Sequence, residues 1–333
     1  MEPDRFAEVV AGVEAELRRV IVGQADLVRD VLTCLVAGGH VLLEGVPGLG
    51  KTVLLRTLAE TLSLDSTRLQ CTPDLLPADV VGTTVLGGGD PGGGAWQASF
   101  EPGPVFTQLL LADELNRATP KTQSALLEAM AERRVTVGGV TRELPKPFFV
   151  MATQNPIEME GTYPLPEAQL DRFLAKVLVP SPSADDLVEI LARTTGNAEV
   201  QVQAVASTED LLAAMRLVRE VPVASHVLRH VAELVEATHP GRPAAPEPVR
   251  RYVAHGASPR GAQSLVLAAK ARALFDGRLQ ASSDDVRGVA PACLRHRLVL
   301  GYEAVVGGVT SDDVVATVLE AVPAPKPPVK GLV

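Results

Sequence analysis

The sequence predicts an α/β fold, a parallel sheet with helices on its faces, followed by a smaller all-helical domain. Three observations predict it. Between residues 40 and 179 short apolar runs alternate with stretches of helical spacing, the pattern of strands joined by crossover helices. After Pro180-Ser181-Pro182-Ser183 the strand signals fade and helical periodicity takes over. With 333 residues, the chain is too long for one ordinary compact core and long enough for two domains of unequal size.

The elements follow in order. Phe6, Val9, Val10, Val13 and Leu17 fall at helical spacing, so residues 1–20 read as an amphipathic helix whose acidic start lacks the basic character of a signal peptide. Strands are predicted at residues 40–44, 67–71, 108–112, 148–152 and 175–179, each rich in Val, Leu or Phe. The prolines at 180 and 182 stop the last strand, and Ser183 with Asp186 three residues on forms a capping box for a new helix. Helical spacing then covers residues 185–194, 208–218, 224–238, 260–275 and 284–298, an all-helical lid. The division is residues 1–179, residues 183–321 and a proline-rich tail, residues 322–333, expected to be a mobile end.

Composition narrows the function. The apolar fraction of 46% is that of a globular protein. A formal charge of −9, from 40 acidic against 31 basic residues, supplies no general field for phosphate backbones and disfavours a nucleic-acid motor, although a local basic pore would escape the count. No run approaches the ~20 apolar residues of a membrane span. Cys34, Cys71 and Cys293 are odd in number and widely separated, which reads as buried thiols in a reduced, cytoplasmic protein.

The chemistry starts at Gly45-Val46-Pro47-Gly48-Leu49-Gly50-Lys51-Thr52, which fits G-x-x-x-x-G-K-[ST] with a strand before it and a helical stretch, residues 53–62, after it. The glycines let backbone N–H groups point at phosphate oxygens, and the helix N-terminus, opening at Val53, adds its dipole. Lys51 is expected to reach the β- and γ-phosphates and Thr52 to hold Mg²⁺; the bland alternative is a glycine-rich turn with a surface lysine. The buried-looking strand Gln108-Leu109-Leu110-Leu111-Ala112 ends in Asp113-Glu114, a Walker B pattern. Asp113 is expected to support the magnesium shell, through water, and Glu114 to orient and polarise the attacking water. No Asn-Lys-x-Asp segment reads guanine, so ATP is the expected nucleotide. A third strand delivers Asn155 to the C-terminal strand edge, where parallel sheets bind ligands.

Together, residues 45–52, 111–118 (LADELNRA), 152–158 (ATQNPIE) and 161–173 (GTYPLPEAQLDRF) resemble the motif series of the MoxR family of AAA+ P-loop ATPases. The resemblance extends from about residue 20 to residue 298, specific between Lys51 and Phe173 and looser in the lid. It implies a P-loop AAA+ core with a helical lid, a hexameric ring, ATP and Mg²⁺ as cofactors, and remodelling or maturation of a client protein with a partner bearing a von Willebrand factor A domain. Asn155 resembles the sensor-one residue; an Asn capping a turn before Pro156 is compatible with that role. Arg172 resembles the arginine finger that reaches a neighbouring subunit's ATP, with a helix-end salt bridge to Asp171 as the alternative. Arg260, behind Ser258 and Pro259 in a first helical turn where a cation opposes the dipole, resembles sensor two. Val22 and Gly23, in Ile21-Val22-Gly23-Gln24, resemble the stretch beside adenine. Arg117 reads as a further intersubunit arginine or as a surface residue.

Two insertions point to work on a macromolecule. Residues 134–142 alternate about Gly138-Gly139, a hairpin signal, and the resemblance places such a hairpin at the central pore. The glycine-rich run at residues 87–95, followed by exposed-looking Trp96 and Phe100, departs from the family pattern and reads as an adaptable contact or a spacer. Two rival functions stand beside the ATPase: a nucleotide-gated regulatory module with little turnover, and a metal-chelatase subunit of the same fold.

Overall fold

A computed structural model of the chain describes residues 1–87, 97–156, 161–196 and 200–325. The strands run β1 (Val41–Glu44), β2 (Ser66–Gln70), β3 (Gly82–Gly87), β4 (Gln97–Pro102), β5 (Leu109–Asp113), β6 (Arg134–Val137), β7 (Val140–Glu143), β8 (Phe149–Gln154) and β9 (Ala175–Leu178). Five of them form one sheet in the order β2-β5-β8-β1-β9, and the pairings β2–β5, β5–β8 and β8–β1 are parallel. Residues 41–43, 109–112 and 149–153 are buried, as expected of strands covered on both faces. Each of the five expected strands is present, displaced by a residue or two at its ends.

Helices follow the apolar spacing. In α1 (Pro3–Val20) the five predicted core positions are all buried. Then come α2 (Ala25–Val36), α3 (Lys51–Thr61), the short α4 (Pro77–Val81), α5 (Pro120–Glu132), the single turn α6 (Glu167–Leu170) and α7 (Ala184–Thr194). The capping box that opens α7 is formed: Asp186 N–H donates to Ser183 Oγ at 3.1 Å, and Ser183 N–H donates to the Asp186 carboxylate at 3.0 Å. Outside the sheet, β6 and β7 form the predicted hairpin, turning on Gly138 (φ 60°) and Gly139 (φ 78°), the backbone a two-residue hairpin loop demands. A second antiparallel pair, β3–β4, carries the glycine-rich insertion, of which residues 88–96, Trp96 included, lie outside the described residues.

The rest is helical: α8 (Thr208–Glu220), α9 (Ser225–Ala237), α10 (Glu247–Tyr252), α11 (Pro259–Phe275), α12 (Ser283–Leu294), α13 (Tyr302–Gly307) and α14 (Ser311–Ala321), with one small antiparallel pair, Val253–His255 with Val299–Leu300. Two compact units result. One comprises residues 11–173 and 177–212; the other comprises residues 1–10, 174–176 and 213–333. Within the helical unit α11 packs on α12 and α9, and buried Ala268, Ala269, Ala271 and Ala273 let α11 approach its neighbours closely. The tail beyond Pro325 lies outside the described residues. Cys34, Cys71 and Cys293 are buried and not joined in disulfides, and no helix among the described residues is long and apolar enough to cross a membrane.

Candidate functional site

The loop between β1 and α3 curls around open space at the C-terminal edge of the sheet. Gly48 (φ 84°) and Gly50 (φ 75°) adopt the left-handed conformation, and a Cβ placed on either would meet no protein atom within 4 Å. Their backbone therefore faces a cavity of about 400 Å³, lined by Gly45, Pro47–Val53 as a continuous run, Arg68, Gln70, Asp113, Glu114, Thr153 and Asn155. Lys51 folds back so that Nζ donates to the Gly45 carbonyl at 2.6 Å. Burial lowers its pKa, opposed by the charges of Asp113, Glu114 and Glu44.

The two acids stand where β5 ends. Asp113 closes the strand and Glu114 turns the chain with φ 56°, an uncommon backbone for a non-glycine residue, into a short 3₁₀ turn, Leu115–Arg117. Neighbouring strands pin both. From β8, the Thr153 hydroxyl donates to Asp113 Oδ1 at 2.7 Å and accepts from Glu114 N–H at 2.7 Å. From β2, Arg68 donates to Asp113 Oδ2 at 2.7 Å, and Gln70 Nε2 donates to Glu114 Oε2 at 2.9 Å. Arg117 adds an ion pair to the same Glu114 oxygen at 3.0 Å, so this arginine is engaged within its own chain. Asn155 is buried and lines the cavity; Asn116 Nδ2 donates to its carbonyl at 3.3 Å.

Lys51, Thr52, Val53, Asp113, Glu114 and Asn155 are thus brought to one cavity with Gly45, Pro47, Gly48, Leu49 and Gly50, whereas Val46, Val22 and Gly23 do not line it. Gly23 (φ 69°) instead packs against the Asp186 carboxylate, which a Cβ would overlap at 2.2 Å. Arg172 follows α6 and borders a separate polar cavity of about 500 Å³ with Ser124, Glu128, Glu132, Arg134 and Gln169. Arg260 occupies the first turn of α11 in the helical unit, its N–H donating to the Ser258 cap at 3.1 Å. Phe100 is half-buried rather than exposed: Arg142 of β7 lies over its ring at 3.8 Å, and Phe106 meets it edge-on at 5.5 Å. Arg68, Gln70 and Thr153 are site residues that motif reading missed. The available signal was alternation on β2, which puts 68 and 70 on one face.

The donor set fits a nucleotide with a hard cation. Thr52, Asp113 and Glu114 bring oxygen ligands to the cavity beside a backbone cradle for phosphate. Among the described residues no group of three or more His, Cys, Asp or Glu could hold a metal ion.

Comparison with known proteins agrees with this geometry. Residues 40–175 match the family described as ATPase family associated with various cellular activities (AAA), and residues 247–318 match the AAA lid domain. Chaperone MoxR1 of Mycobacterium tuberculosis is 44% identical over 93% of this chain and 81% of its own length. Protein MoxR of Methylorubrum extorquens is 33% identical over 96% of each. The crystal structure of a Cytophaga hutchinsonii protein with a proposed ATPase activity superposes with a TM-score of 0.89 at 40% identity, covering 97% of both chains. With a P-loop core, a helical lid and relatives matched along most of their length, the chain belongs to the MoxR family of AAA ATPases.

Proposed function

We propose that the chain binds Mg·ATP in the strand-edge cavity and hydrolyses it to ADP and phosphate to drive remodelling or maturation of a client protein. In this reading it works as a hexameric ring with a partner bearing a von Willebrand factor A domain. The observation that carries the reading is the convergence of Lys51, Thr52, Asp113, Glu114 and Asn155 on one cavity beside an open glycine cradle. The glycine-loop N–H groups bind phosphate oxygens, and Lys51 leaves the Gly45 carbonyl to neutralise the β- and γ-phosphates. When bound, Mg²⁺ neutralises charge across the phosphate tail. Thr52 and Asp113 hold its shell, Asp113 through water, while Glu114 polarises the attacking water and Asn155 helps to place it. Arg172, which lines no part of its own nucleotide cavity, meets developing charge on a neighbour's ATP. Arg260 couples lid position to the nucleotide.

The hold of Gln70 and Arg117 on Glu114 favours a second reading, a nucleotide-gated module that turns over slowly by itself. Steady-state phosphate release against protein concentration, for wild type, Glu114→Gln and Arg172→Ala, separates the two. The shared-site ATPase should gain specific activity with concentration, and both variants should lose it while retaining ATP binding. Wild type that binds ATP without concentration-dependent turnover would favour the module.

A further inference from the structure

Arg68 is a residue to which no motif assigns a part. It projects from β2, the edge strand beside β5, where Gln70 lies level with Asp113 and Arg68 two pairs earlier with Leu111. Side chains two apart on a strand share a face, so 68 and 70 reach toward the acids, whereas Leu69 between them is buried on the opposite face. Arg68 donates to Asp113 Oδ2 twice, from Nε at 3.2 Å and from a terminal nitrogen at 2.7 Å. The same terminal nitrogen donates to Gln70 Oε1, and Gln70 passes the contact on to Glu114. One guanidinium thus holds one acid directly and the other through an amide.

Both Asp113 oxygens are engaged, Oδ1 by Thr153 and Oδ2 by Arg68, but the two partners differ. Thr153 is buried inside the sheet; the Arg68 side chain is half-exposed at its rim. A half-exposed ion pair is weak and easily exchanged. The charged side chains lining the cavity are Lys51 and Arg68 against Asp113 and Glu114, so the cations are balanced before any phosphate arrives.

We propose that Arg68 is a displaceable counter-ion for Asp113: it occupies the carboxylate oxygen needed by the hydrated metal, and it yields that oxygen when the metal arrives with the nucleotide. Freed, the guanidinium remains beside the cavity as a planar donor suited to phosphate oxygens. Arg68 is therefore a positioning residue that makes metal-loaded and metal-free nucleotide bind differently from the way the P-loop alone would. The proposal rests on the Mg·ATP reading of this cavity.

Competition predicts a signature that a structural role would not give. The dissociation constant of ribose-labelled fluorescent adenylyl-imidodiphosphate, a non-hydrolysable ATP analogue, is measured on the full chain with saturating Mg²⁺ and again with EDTA. In Arg68→Gln the metal no longer competes with a guanidinium, and metal-free nucleotide loses a nearby cation. The ratio of the EDTA constant to the Mg²⁺ constant should therefore rise, about twofold to fivefold for a pair of this exposure. Arg68→Lys, which keeps the charge but not the fork, should fall between. If Arg68 only braces the edge strand, both constants shift by the same factor and an unchanged ratio overturns the proposal. Wild type that binds the analogue in neither condition would instead overturn the nucleotide reading.

Discussion

His40 shows how one residue at the foot of β1 makes the sheet sensitive to acid. Its Nδ1 accepts from Val150 N–H at 3.0 Å, which leaves the proton on Nε2 to be donated to the Met130 carbonyl at 3.1 Å. Burial pushes its pKa from 6.5 down to about 4, the Met130 hydrogen bond opposing and the Arg133 charge assisting. The unfolded chain therefore binds more protons at this site between those two values, so stability is greatest above pH 6.5 and falls as pH drops toward 4. Between pH 7 and 5 the loss should be about 2 kcal/mol. Urea unfolding at the two pH values checks this: His40→Gln should be less stable at pH 7 yet lose about 2 kcal/mol less on acidification. Equal losses would show that His40 titrates normally. At this scale the cavity was most legible where its residues stand next to each other in the chain, as at Lys51-Thr52 and Asp113-Glu114. Arg68 and Gln70 were illegible because their meaning depends on β2 lying next to β5, a pairing that no local pattern states.

At the scale of elements, the two hairpins use glycine for different reasons. Gly139 turns between β6 and β7 with open space where a Cβ would stand. Gly103 follows β4 beside α4 and β3, and there a Cβ would fall 2.4 Å from the Val80 carbonyl oxygen and 2.5 Å from Gly82 N. Gly139→Ala should therefore cost only left-handed backbone strain, about 1 kcal/mol. Gly103→Ala must displace main chain and should cost about 3 kcal/mol or more. Chemical denaturation of the two variants decides the point, and similar losses would contradict it. The first hairpin was legible, since a Gly-Gly pair between alternating residues specifies its turn. The clasp at Gly82 and Gly103 was not, because its two glycines come together only across the β3–β4 pairing. The minimal strands of the helical unit were missed as well: a pairing as short as Val299–Leu300 carries no periodicity.

At the scale of the molecule, the class of each part was read from periodicity, whereas the grouping of segments came from packing that pattern cannot report. Val205 N–H donates to the Thr61 carbonyl at 2.8 Å, and Arg193 donates to the Arg19 carbonyl at 2.6 Å, so the stretch after Pro180 is tied to the sheet unit. Arg172 gives the whole-molecule prediction. It borders a cavity other than that of its own P-loop, which supports the proposal that it acts at another copy's site. Sedimentation velocity should show small species without nucleotide and larger assemblies with the non-hydrolysable analogue and Mg²⁺. Arg172→Ala should require about tenfold more protein to assemble, as expected for a lost charged contact of roughly 1.4 kcal/mol. Assembly indifferent to both nucleotide and Arg172 would sink the shared-site reading.

The backbone of Glu114 has a consequence for anyone engineering this protein. A left-handed glutamate is held against its preference by about 1 kcal/mol, a strain that glycine would relieve only by giving up the Gln70 and Arg117 contacts that hold the side chain. Changing heat tolerance at this position therefore trades backbone strain against side-chain contacts, and any clone that gained by it would have given up the carboxylate proposed to polarise water.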